Sequence, residues 1–404
     1  PYASHTEEKV IAYRKIITDE IVRINEDGSI ELNPKFFAFE TSNRMIKESA
    51  FEKAFGFKTR KEESQIGAEH YNLAKAIQLV TEEVVIKMAK HAKSITKLDK
   101  LCLAGGVALN CVANGVLEEE QLFDEIYVQP AAGDAGNALG AALAAYYLYY
   151  EKSRSISSSY DAMNAARLGP SFSRLKVQRA LERFNLAYTE LDQDALIAET
   201  TGYLIDGKTI GWFQGRMEFG PRALGGRSIL GNPLLPETQS KLNLKVKQRE
   251  SFRPFAPLML EEEFKRLFGQ NKVSPYMLFV HKILPEFRKE TKVVSENLIE
   301  RINENRSVLP AISHVDYSSR IQTVGEQDDP LMYKLLQRFK AQSGFGVLVN
   351  TSFNLRGEPI VCTPEDAMAT FLSTELDVLF VENFIIEREK NLDLLDSHVK
   401  VKLD

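Results

Sequence analysis

The chain has 404 residues, 44% of them hydrophobic, and a formal net charge of −5. This length allows two or three domains with sizeable cores, and the mild negative charge excludes non-specific attraction to nucleic acid or membranes. Three cysteines without a CxxC pair exclude a disulfide framework and a zinc ribbon, and they favour a reducing compartment. The longest apolar stretch, residues 138–150, is too short to cross a bilayer. We therefore expect a cytoplasmic globular protein that binds neither nucleic acid nor a membrane.

In the first part of the chain, strand-like runs alternate with helical periodicity. Helices are predicted over residues 5–24 and 69–93, and strands over residues 29–32, 100–103 and 126–128. A glycine-rich turn follows each of the last two strands, and an alanine-rich helix closes the segment. Two successive strand, turn and helix units predict an α/β layer with a ligand site at the carboxyl ends of its strands.

A polar, serine-rich run at residues 151–159 interrupts this pattern and indicates a domain boundary. Beyond it, helices are predicted over residues 173–184 and 192–205, and a loop over residues 312–322. Strands are predicted over residues 187–191, 209–213, 277–281, 347–349, 378–381 and 384–387. This mixed order favours an α+β second domain. We place the domains at residues 1–155 and 169–404, with a linker at residues 156–168.

Positive charge is concentrated between residues 201 and 260, where nine lysines and arginines accompany four acidic residues. In this window an apolar strand runs into a loop in which Arg216, Arg222 and Arg227 lie among glycines. Glycines let the backbone approach a ligand closely, and arginines pair with phosphate or carboxylate oxygens. The loop therefore predicts an anion site. A solvated basic face with structural ion pairs is the alternative.

A second basic segment follows this loop. Lys247 and Arg249 alternate, so both side chains point to one side if the segment is extended. Arg253 comes next, in a rigid frame of prolines and phenylalanines. These residues are expected to add to the same anion site.

Small polar residues end the predicted strand at 347–349. Asn350, Ser352 and Asn354 follow a Val-Leu-Val run, and Ser352 and Asn354 are expected to share one side. A structural strand end rarely needs so many polar residues, which favours a ligand-binding role.

Two glycine turns in the first part of the chain are further candidates. Gly105 and Gly106 open a helix at a strand end, where free N–H groups favour an anion and Asn110 offers a hydrogen bond to a ribose. A tight turn that needs only small residues is the alternative. In the second turn, Asp134 binds a metal, contacts a ribose or caps the following helix. The two turns are expected to face one ligand.

His314 lies two residues before Asp316 in the predicted loop at 312–322, where it acts as a base, positions a substrate or is structural. The other histidines show no HxxH, HxxxH or HExxH spacing, so the chain by itself presents no paired-histidine metal site. GxSxG, Walker A and GxGxxG motifs are absent from the sequence.

Taken together, these motifs resemble the O-carbamoyltransferases of nodulation and antibiotic biosynthesis. The resemblance runs from about residue 51 to residue 386, with the motifs in the family's order. The matching segments are AGGVALN at 104–110, GDAGNALGAA at 133–142, MEFGPRALGGRS at 217–228, FRPFAP at 252–257, NTSFN at 350–354 and GEPIV at 357–361. The opening Pro1-Tyr2 resembles a turn inside the family's first domain, so the chain is expected to lack about the N-terminal third of a full-length member.

The resemblance implies a two-domain enzyme. Residues 1–155 resemble the C-terminal half of an actin-like domain of the hexokinase superfamily, and residues 169–404 resemble a YrdC-like α+β domain. In such enzymes the YrdC-like domain makes carbamoyl-adenylate from carbamoyl phosphate and ATP, and the actin-like domain passes the carbamoyl group to a small-molecule hydroxyl. Mg²⁺ is the implied partner of ATP. An unpartnered sheet edge in the actin-like half would allow a homodimer.

The resemblance also assigns roles to individual residues. The implied catalytic residues, including the family's KxR…SxN signature, are Lys247, Arg249, Ser352, Asn354 and His314. The residues implied to bind substrate or nucleotide are Gly105, Gly106, Asn110, Asn137, Arg216, Arg222, Arg227, Arg253, Arg320 and Asn350. Asp134 matches a metal-binding aspartate that usually holds Fe²⁺.

The sequence departs from the family pattern at two places. The HxxxH pair that completes the metal site is missing, so metal binding and acceptor transfer are expected to be impaired in this chain alone. Bulky Tyr317 and Ile321 replace small residues in the loop that carries His314.

Two alternatives stay open at this point. A threonylcarbamoyl-adenylate or tRNA-modification enzyme is disfavoured by the domain order and by the lack of a strongly basic surface. A catalytically incomplete, nucleotide-binding regulatory protein is disfavoured by the intact arginines and the KxR…SxN residues. The sequence does not indicate which hydroxyl compound is the acceptor.

Overall fold

The computed structural model describes residues 6–61, 64, 66–155, 161–249, 253–290 and 304–393. They form two compact units. Residues 6–103 and 112–127 make up the first unit, and residues 104–111 and those described from 128 onward make up the second. Pro1-Tyr2, residues 156–160 of the predicted linker and Phe252 of the FRPFAP motif lie outside the described residues. The actin-like and YrdC-like assignments and their boundaries stay predictions.

The first unit is built around one long helix. Its helices are α1 (Glu7–Ile16), α2 (Glu48–Phe55), α3 (Ala68–Thr96) and α4 (Cys111–Glu119). Strands β1 (Val22–Ile24) and β2 (Ile30–Leu32) pair antiparallel, and β3 (Lys100–Leu103) pairs with β4 (Glu125–Val128). One core lies among α1, α2 and α3, and a smaller one among α3, α4 and β3. The predicted helix at 5–24 is too long, because its last residues form β1.

A nine-stranded mixed sheet dominates the described part of the second unit. Its strands are β5 (Thr189–Glu190), β6 (Ile210–Phe213), β7 (Arg227–Gly231), β8 (Ala256–Leu260), β9 (Phe279–Lys282), β10 (Ser318–Val324), β11 (Val347–Ser352), β12 (Val378–Val381) and β13 (Phe384–Glu387). They lie in the order β5-β13-β12-β6-β7-β11-β8-β10-β9. The β10–β8 and β12–β6 pairs are parallel, and β11 is antiparallel to both β7 and β8. The fold is therefore mixed α/β with a large mixed sheet.

Helices cover both faces of this sheet. The helices of the unit are α5 (Asp134–Ala144), α6 (Arg174–Arg183), α7 (Gln193–Ile205), α8 (Glu237–Lys241), α9 (Glu261–Phe268), α10 (Pro330–Ser343) and α11 (Pro364–Leu372). Helices α6, α9 and α11 pack on one face, and α7 and α10 pack on the other. Leu379 and Val381 of β12 enter the first core, whereas Val378 and Phe380 enter the second. Successive strand residues alternate between faces, and both faces are buried, so the strand is apolar throughout.

The predicted loop at residues 312–322 is wrong in its second half. Ser318–Val324 is strand β10, which lies inside the sheet between β8 and β9. Because Arg320 and Gln322 are polar, the segment lacks the alternation of apolar and polar residues that usually indicates a strand. The predicted strand at 347–349 also continues to Ser352. Strands β7 and β8 are not among the strands predicted from the sequence.

Among the described helices, none is both long and apolar enough to cross a membrane.

Candidate active site

The arginine-containing loop after β6 wraps around the carboxylate of Glu218, which is 5% exposed. Glu218 Oε1 accepts hydrogen bonds from the backbone N–H groups of Leu224 (2.7 Å), Gly226 (2.6 Å) and Arg227 (3.4 Å). A carboxylate in the same loop can occupy these donors without the entropy cost of associating with a second molecule. The glycine-rich backbone therefore holds the protein's own anion, and its predicted role as a ligand cradle is wrong for these amides.

Arg227 is fully buried behind this loop. Its guanidinium lies 3.5 Å from the centre of the Phe213 ring. Nη1 donates to the carbonyl oxygens of Gln214 (3.3 Å), Gly215 (3.2 Å) and Gly226 (3.0 Å). Burial lowers the pKa of Arg227 to about 10. These contacts favour a structural role, and direct ligand binding by Arg227 stays a prediction.

Arg167, inside the predicted linker, holds the loop from another side. Its Nη2 forms an ion pair with Asp329, and its Nη1 donates to the carbonyl oxygens of Gln214 (3.1 Å) and Arg216 (3.2 Å). The Arg216 side chain is exposed and donates to the carbonyl oxygen of Leu168 (3.1 Å). Sequence patterns missed Arg167 because a single arginine in a polar segment belongs to no motif. This end of the predicted linker is packed structure.

We expect Gly226→Ala to lower the free energy of unfolding by about 1–3 kcal/mol, the usual cost of overpacking. A Cβ at this position would lie 2.2 Å from Arg167 Nη1 and 2.9 Å from the carbonyl oxygen of Arg216. Urea denaturation of the two proteins measures the difference. Gly202→Ala in α7 is the matched control, because its Cβ would meet nothing within 4 Å. An equal effect of the two substitutions would contradict the steric explanation.

Next to this loop, four polar side chains share one face of the sheet, and we call them the polar strip: Arg320, Gln322, Asn350 and Ser352. Arg320 and Gln322 are two residues apart on β10, and Asn350 and Ser352 are two apart on β11, so each pair points to one side about 7 Å apart. Asn350 Nδ2 donates to Gln322 Oε1 (2.8 Å) across β8, which places both pairs on the same side. The strip thus brings together residues from two strands that are not neighbours.

The two amides in the middle of the polar strip hold the arginine loop. Gln322 Nε2 donates to the carbonyl oxygen of Leu224 (2.9 Å), and Asn350 Nδ2 donates to that of Ala223 (3.0 Å). Asn350 is 1% exposed, yet its Oδ1 has no hydrogen-bond partner. An unpaired buried acceptor costs about 1–3 kcal/mol, so this oxygen is a candidate contact for a ligand.

Arg222 comes immediately before Ala223 and lies near Arg320 of the polar strip. Burial, with repulsion from Arg320 as a smaller cause, lowers the pKa of Arg222 to about 10. Arg222 Nη2 donates to the carbonyl oxygen of Leu109 (3.4 Å). Within the described ranges, no carboxylate lies at ion-pair distance from either guanidinium. Two neighbouring cations without an acid favour a bound anion, and ligand binding by Arg222 and Arg320 stays a prediction.

His314 lies near Arg320 as well. Burial lowers the pKa of His314, Arg320 acts in the same direction and Asp316 opposes them. The imidazole is therefore neutral near pH 7. Its Nδ1 is 3.4 Å from Ser318 Oγ, which also donates to Asp316 (2.7 Å). A neutral ring fits a positioning role or a base, and both roles stay predictions.

Lys247 closes the other end of the polar strip. Its Nζ donates to the carbonyl oxygen and Oγ (3.2 Å) of Ser352, and to the carbonyl oxygen (3.1 Å) and Oδ1 (2.8 Å) of Asn354. Ser352 Oγ donates to Asn354 Oδ1 (2.7 Å), so these two residues share a side as predicted. Burial lowers the pKa of Lys247 to about 7, with Arg249 acting in the same direction. The surrounding oxygens favour the ammonium form.

Lys247 and Arg249 do not lie on an extended segment, so that part of the prediction is wrong. Lys247 has helical backbone angles, φ −85° and ψ −12°, and Gln248 has a φ of 46°. Asn243, which is fully buried, orders the segment instead. Its Oδ1 accepts from Arg249 Nε (2.7 Å), and its Nδ2 donates to the carbonyl oxygen of Arg253 (2.8 Å). Its position four residues before the KxR motif gave no sequence signal.

The two glycine turns line one cavity of about 340 Å³, which includes Gly105 and Asn137. The two turns therefore share one cavity, and the prediction that they face one ligand stays a prediction. The Gly105 N–H is not free, however, because it donates to the carbonyl oxygen of Ala132 (2.8 Å). Gly106 begins a 3₁₀ turn, and half-buried Asn110 separates that turn from α4. The predicted helix opening directly at the glycines is wrong.

Asp134 is exposed at the first turn of α5. Gly133 is the N-cap residue and no side chain caps the helix, so the capping alternative for Asp134 is wrong. Within the part of the chain that the structure describes, no group of three or more His, Cys, Asp or Glu residues could hold a metal. The described residues therefore do not fit an iron site, and the metal role of Asp134 stays a prediction.

Two family models match this chain. The model described as "Carbamoyltransferase C-terminus" matches residues 201–388, and the one described as "Carbamoyltransferase N-terminus" matches residues 4–143. The arginine-containing loop and the polar strip lie in the range that the C-terminus model matches, and the two glycine turns lie in the range that the N-terminus model matches. The chain belongs to the carbamoyltransferase family.

Several known proteins are similar to most of the chain. An uncharacterized protein of Synechocystis sp. is 46% identical over 93% of this chain and 62% of its own length. Nodulation protein NolO of Bradyrhizobium diazoefficiens is 38% identical over 79% of this chain and 55% of its own length. The 3'-hydroxymethylcephem-O-carbamoyltransferase of Amycolatopsis lactamdurans is 33% identical over 71% of this chain and 48% of its own length. The chain thus spans about half to three-fifths of these relatives.

A comparison with solved structures finds full-length HypF in its phosphate- and nucleotide-bound form. The match covers 64% of this chain and 36% of the HypF chain. The TM-score is 0.31 and the identity 17%, which does not establish a common fold.

Proposed function

We propose that this chain carries the carbamoyl-adenylate-forming site of an ATP-dependent O-carbamoyltransferase. The observation that supports this most is the Arg222–Arg320 pair, two guanidiniums near each other without an acidic partner in the described residues. Lys247 adds a third basic group at the far end of the same polar strip. Three basic groups along one strip suit a ligand with several phosphates, since each charge-assisted hydrogen bond contributes about 1.5–3 kcal/mol.

The chemistry requires activation of the carbamoyl group. Carbamoyl phosphate and water give carbamate and phosphate; a carbamate oxygen then attacks the α-phosphorus of ATP, and the bond to the β-phosphate oxygen breaks. Pyrophosphate leaves and carbamoyl-adenylate forms. A substrate hydroxyl next attacks the carbamoyl carbon, releasing AMP and a proton and giving the O-carbamoyl product.

The residues of this chain would hold and neutralise phosphate oxygens in these steps. Arg222 and Arg320 offer paired donors, and Lys247 offers a compact charge that its oxygen contacts already orient. Mg²⁺ would arrive with ATP, because the described part of the strip has no cluster of carboxylates to hold it. Transfer to the acceptor, a small-molecule hydroxyl, is assigned to the glycine-turn cavity.

Pyrophosphate release from ATP tests the proposal, measured with Mg²⁺ and with or without carbamoyl phosphate. Release that depends on carbamoyl phosphate is the expected result. Release driven by bicarbonate and threonine would instead support a threonylcarbamoyl-adenylate enzyme. ATP binding without release under either condition would support a nucleotide-binding regulatory protein.

The pH profile of this reaction should report Lys247. We expect kcat/KM to fall between pH 6 and 9 with a midpoint near 7, because the lysine is a cation only below its pKa of about 7. Lys247→Arg keeps its charge over this range, so its profile should lose that fall. The same midpoint in Lys247→Arg would assign the titration to another group.

A further inference from the structure

The orientation of the Asn350 amide is fixed by its neighbours. Nδ2 donates to two oxygens, Ala223 O at 3.0 Å and Gln322 Oε1 at 2.8 Å. The Gln322 amide is itself fixed, since its Nε2 donates to the carbonyl oxygen of Leu224 at 2.9 Å. Exchanging N and O of Asn350 would place its oxygen against two acceptors. Oδ1 is therefore held as a buried acceptor without a protein donor.

The surroundings of Asn350 indicate which kind of donor group would bind its Oδ1. Arg320 and Asn350 lie on strands on either side of β8, where the residue paired with Asn350 is Ala256, whose side chain is a single methyl group. Arg222 lies near Arg320 and precedes Ala223, which accepts from Asn350. A ligand here would therefore carry an N–H donor close to an anionic group. A carbamoyl phosphate or adenylate has an NH₂ separated from its phosphate by only a carbonyl carbon and an oxygen.

We propose that Asn350 Oδ1 accepts a hydrogen bond from the carbamoyl NH₂ and selects carbamoyl phosphate against acyl phosphates. This inference rests on the proposed function. Acetyl phosphate has nearly the same shape and charge, but its methyl group leaves Oδ1 unpaired. A site built to bind an N–H group rejects an analogue that lacks it.

The test compares the affinities of carbamoyl phosphate and acetyl phosphate by calorimetry, with a non-hydrolysable ATP analogue present. Wild-type protein is expected to prefer carbamoyl phosphate by about 10- to 100-fold. Asn350→Ala should reduce this ratio to near one. Asn350→Leu, which occupies a similar volume, is the second variant if the alanine protein does not fold. Arg338→Ala is the control, because Arg338 is exposed on α10 and its removal leaves Asn350 and both acceptors of its amide in place, so it should preserve the ratio.

The possible outcomes separate recognition from positioning. A purely positioning role would weaken both ligands equally in Asn350→Ala, leave the ratio unchanged and overturn the proposal. No preference in the wild-type protein would overturn it as well. Loss of discrimination between ATP and ITP, with an unchanged carbamoyl ratio, would assign Oδ1 to the adenine amino group instead. Failure of wild-type protein to bind carbamoyl phosphate would count against the proposed function itself.

Discussion

Replacing Arg222 by alanine is expected to lower kcat/KM for carbamoyl-phosphate-dependent pyrophosphate release by about 100-fold or more. Loss of two charge-assisted hydrogen bonds amounts to about 3 kcal/mol or more, and each 1.4 kcal/mol is a tenfold change. The removed guanidinium is half-buried beside Arg320, in a place where water screens charge poorly. Arg222→Lys should fall between wild type and alanine, because lysine keeps the charge and loses the paired donors.

The control for this prediction is Arg338→Ala. Arg338 is exposed on α10 and is not one of the proposed site residues, so its removal should leave kcat/KM within a factor of two. Comparable rates for Arg222→Ala and Arg338→Ala would mean that the Arg222–Arg320 pair does not contact the phosphates.

Glu218→Ala is expected to lower the free energy of unfolding by about 3–5 kcal/mol, the cost of removing one partner from a buried charged network. Glu218 Oε1 satisfies the backbone N–H groups of Leu224 and Gly226, and its charge stabilises the buried Arg227 guanidinium. Alanine would leave these two amides without an acceptor and would remove a negative charge that stabilises Arg227. Glu218→Gln keeps an acceptor oxygen and loses the charge, so we expect a smaller loss. Urea denaturation followed by circular dichroism measures both variants.

Glu199→Ala, on the exposed side of α7, is the matched carboxylate control and should change the free energy of unfolding by less than about 0.5 kcal/mol. If Glu218→Ala changed the free energy of unfolding as little as this control does, water would have to satisfy the amides of the loop. The stability of the loop would then not depend on the Glu218 carboxylate.

Local patterns in the sequence were sufficient for several strands of the sheet and for many of the residues in the proposed site. The apolar runs at β6, β12 and β13 predicted strands because both faces of these strands are buried. The resemblance also named Lys247, Ser352 and Asn354 together, and the structure places them in contact. Patterns failed at β10, because a strand that carries Arg320 and Gln322 on one face lacks the apolar alternation of its neighbours.

The sequence by itself determined the family, several strands of the sheet and many of the basic and polar residues near the proposed site. Only the tertiary structure decided that the loop amides bind Glu218, that Arg167 reaches Asp329 and that Asn350 pairs with Gln322 and keeps one oxygen unpaired. The physical reason is that these are hydrogen bonds between groups distant in the chain. Their partners depend on which strands are neighbours in the sheet and on how the loop folds over it. Local periodicity in the sequence predicts neither the strand order nor the loop conformation.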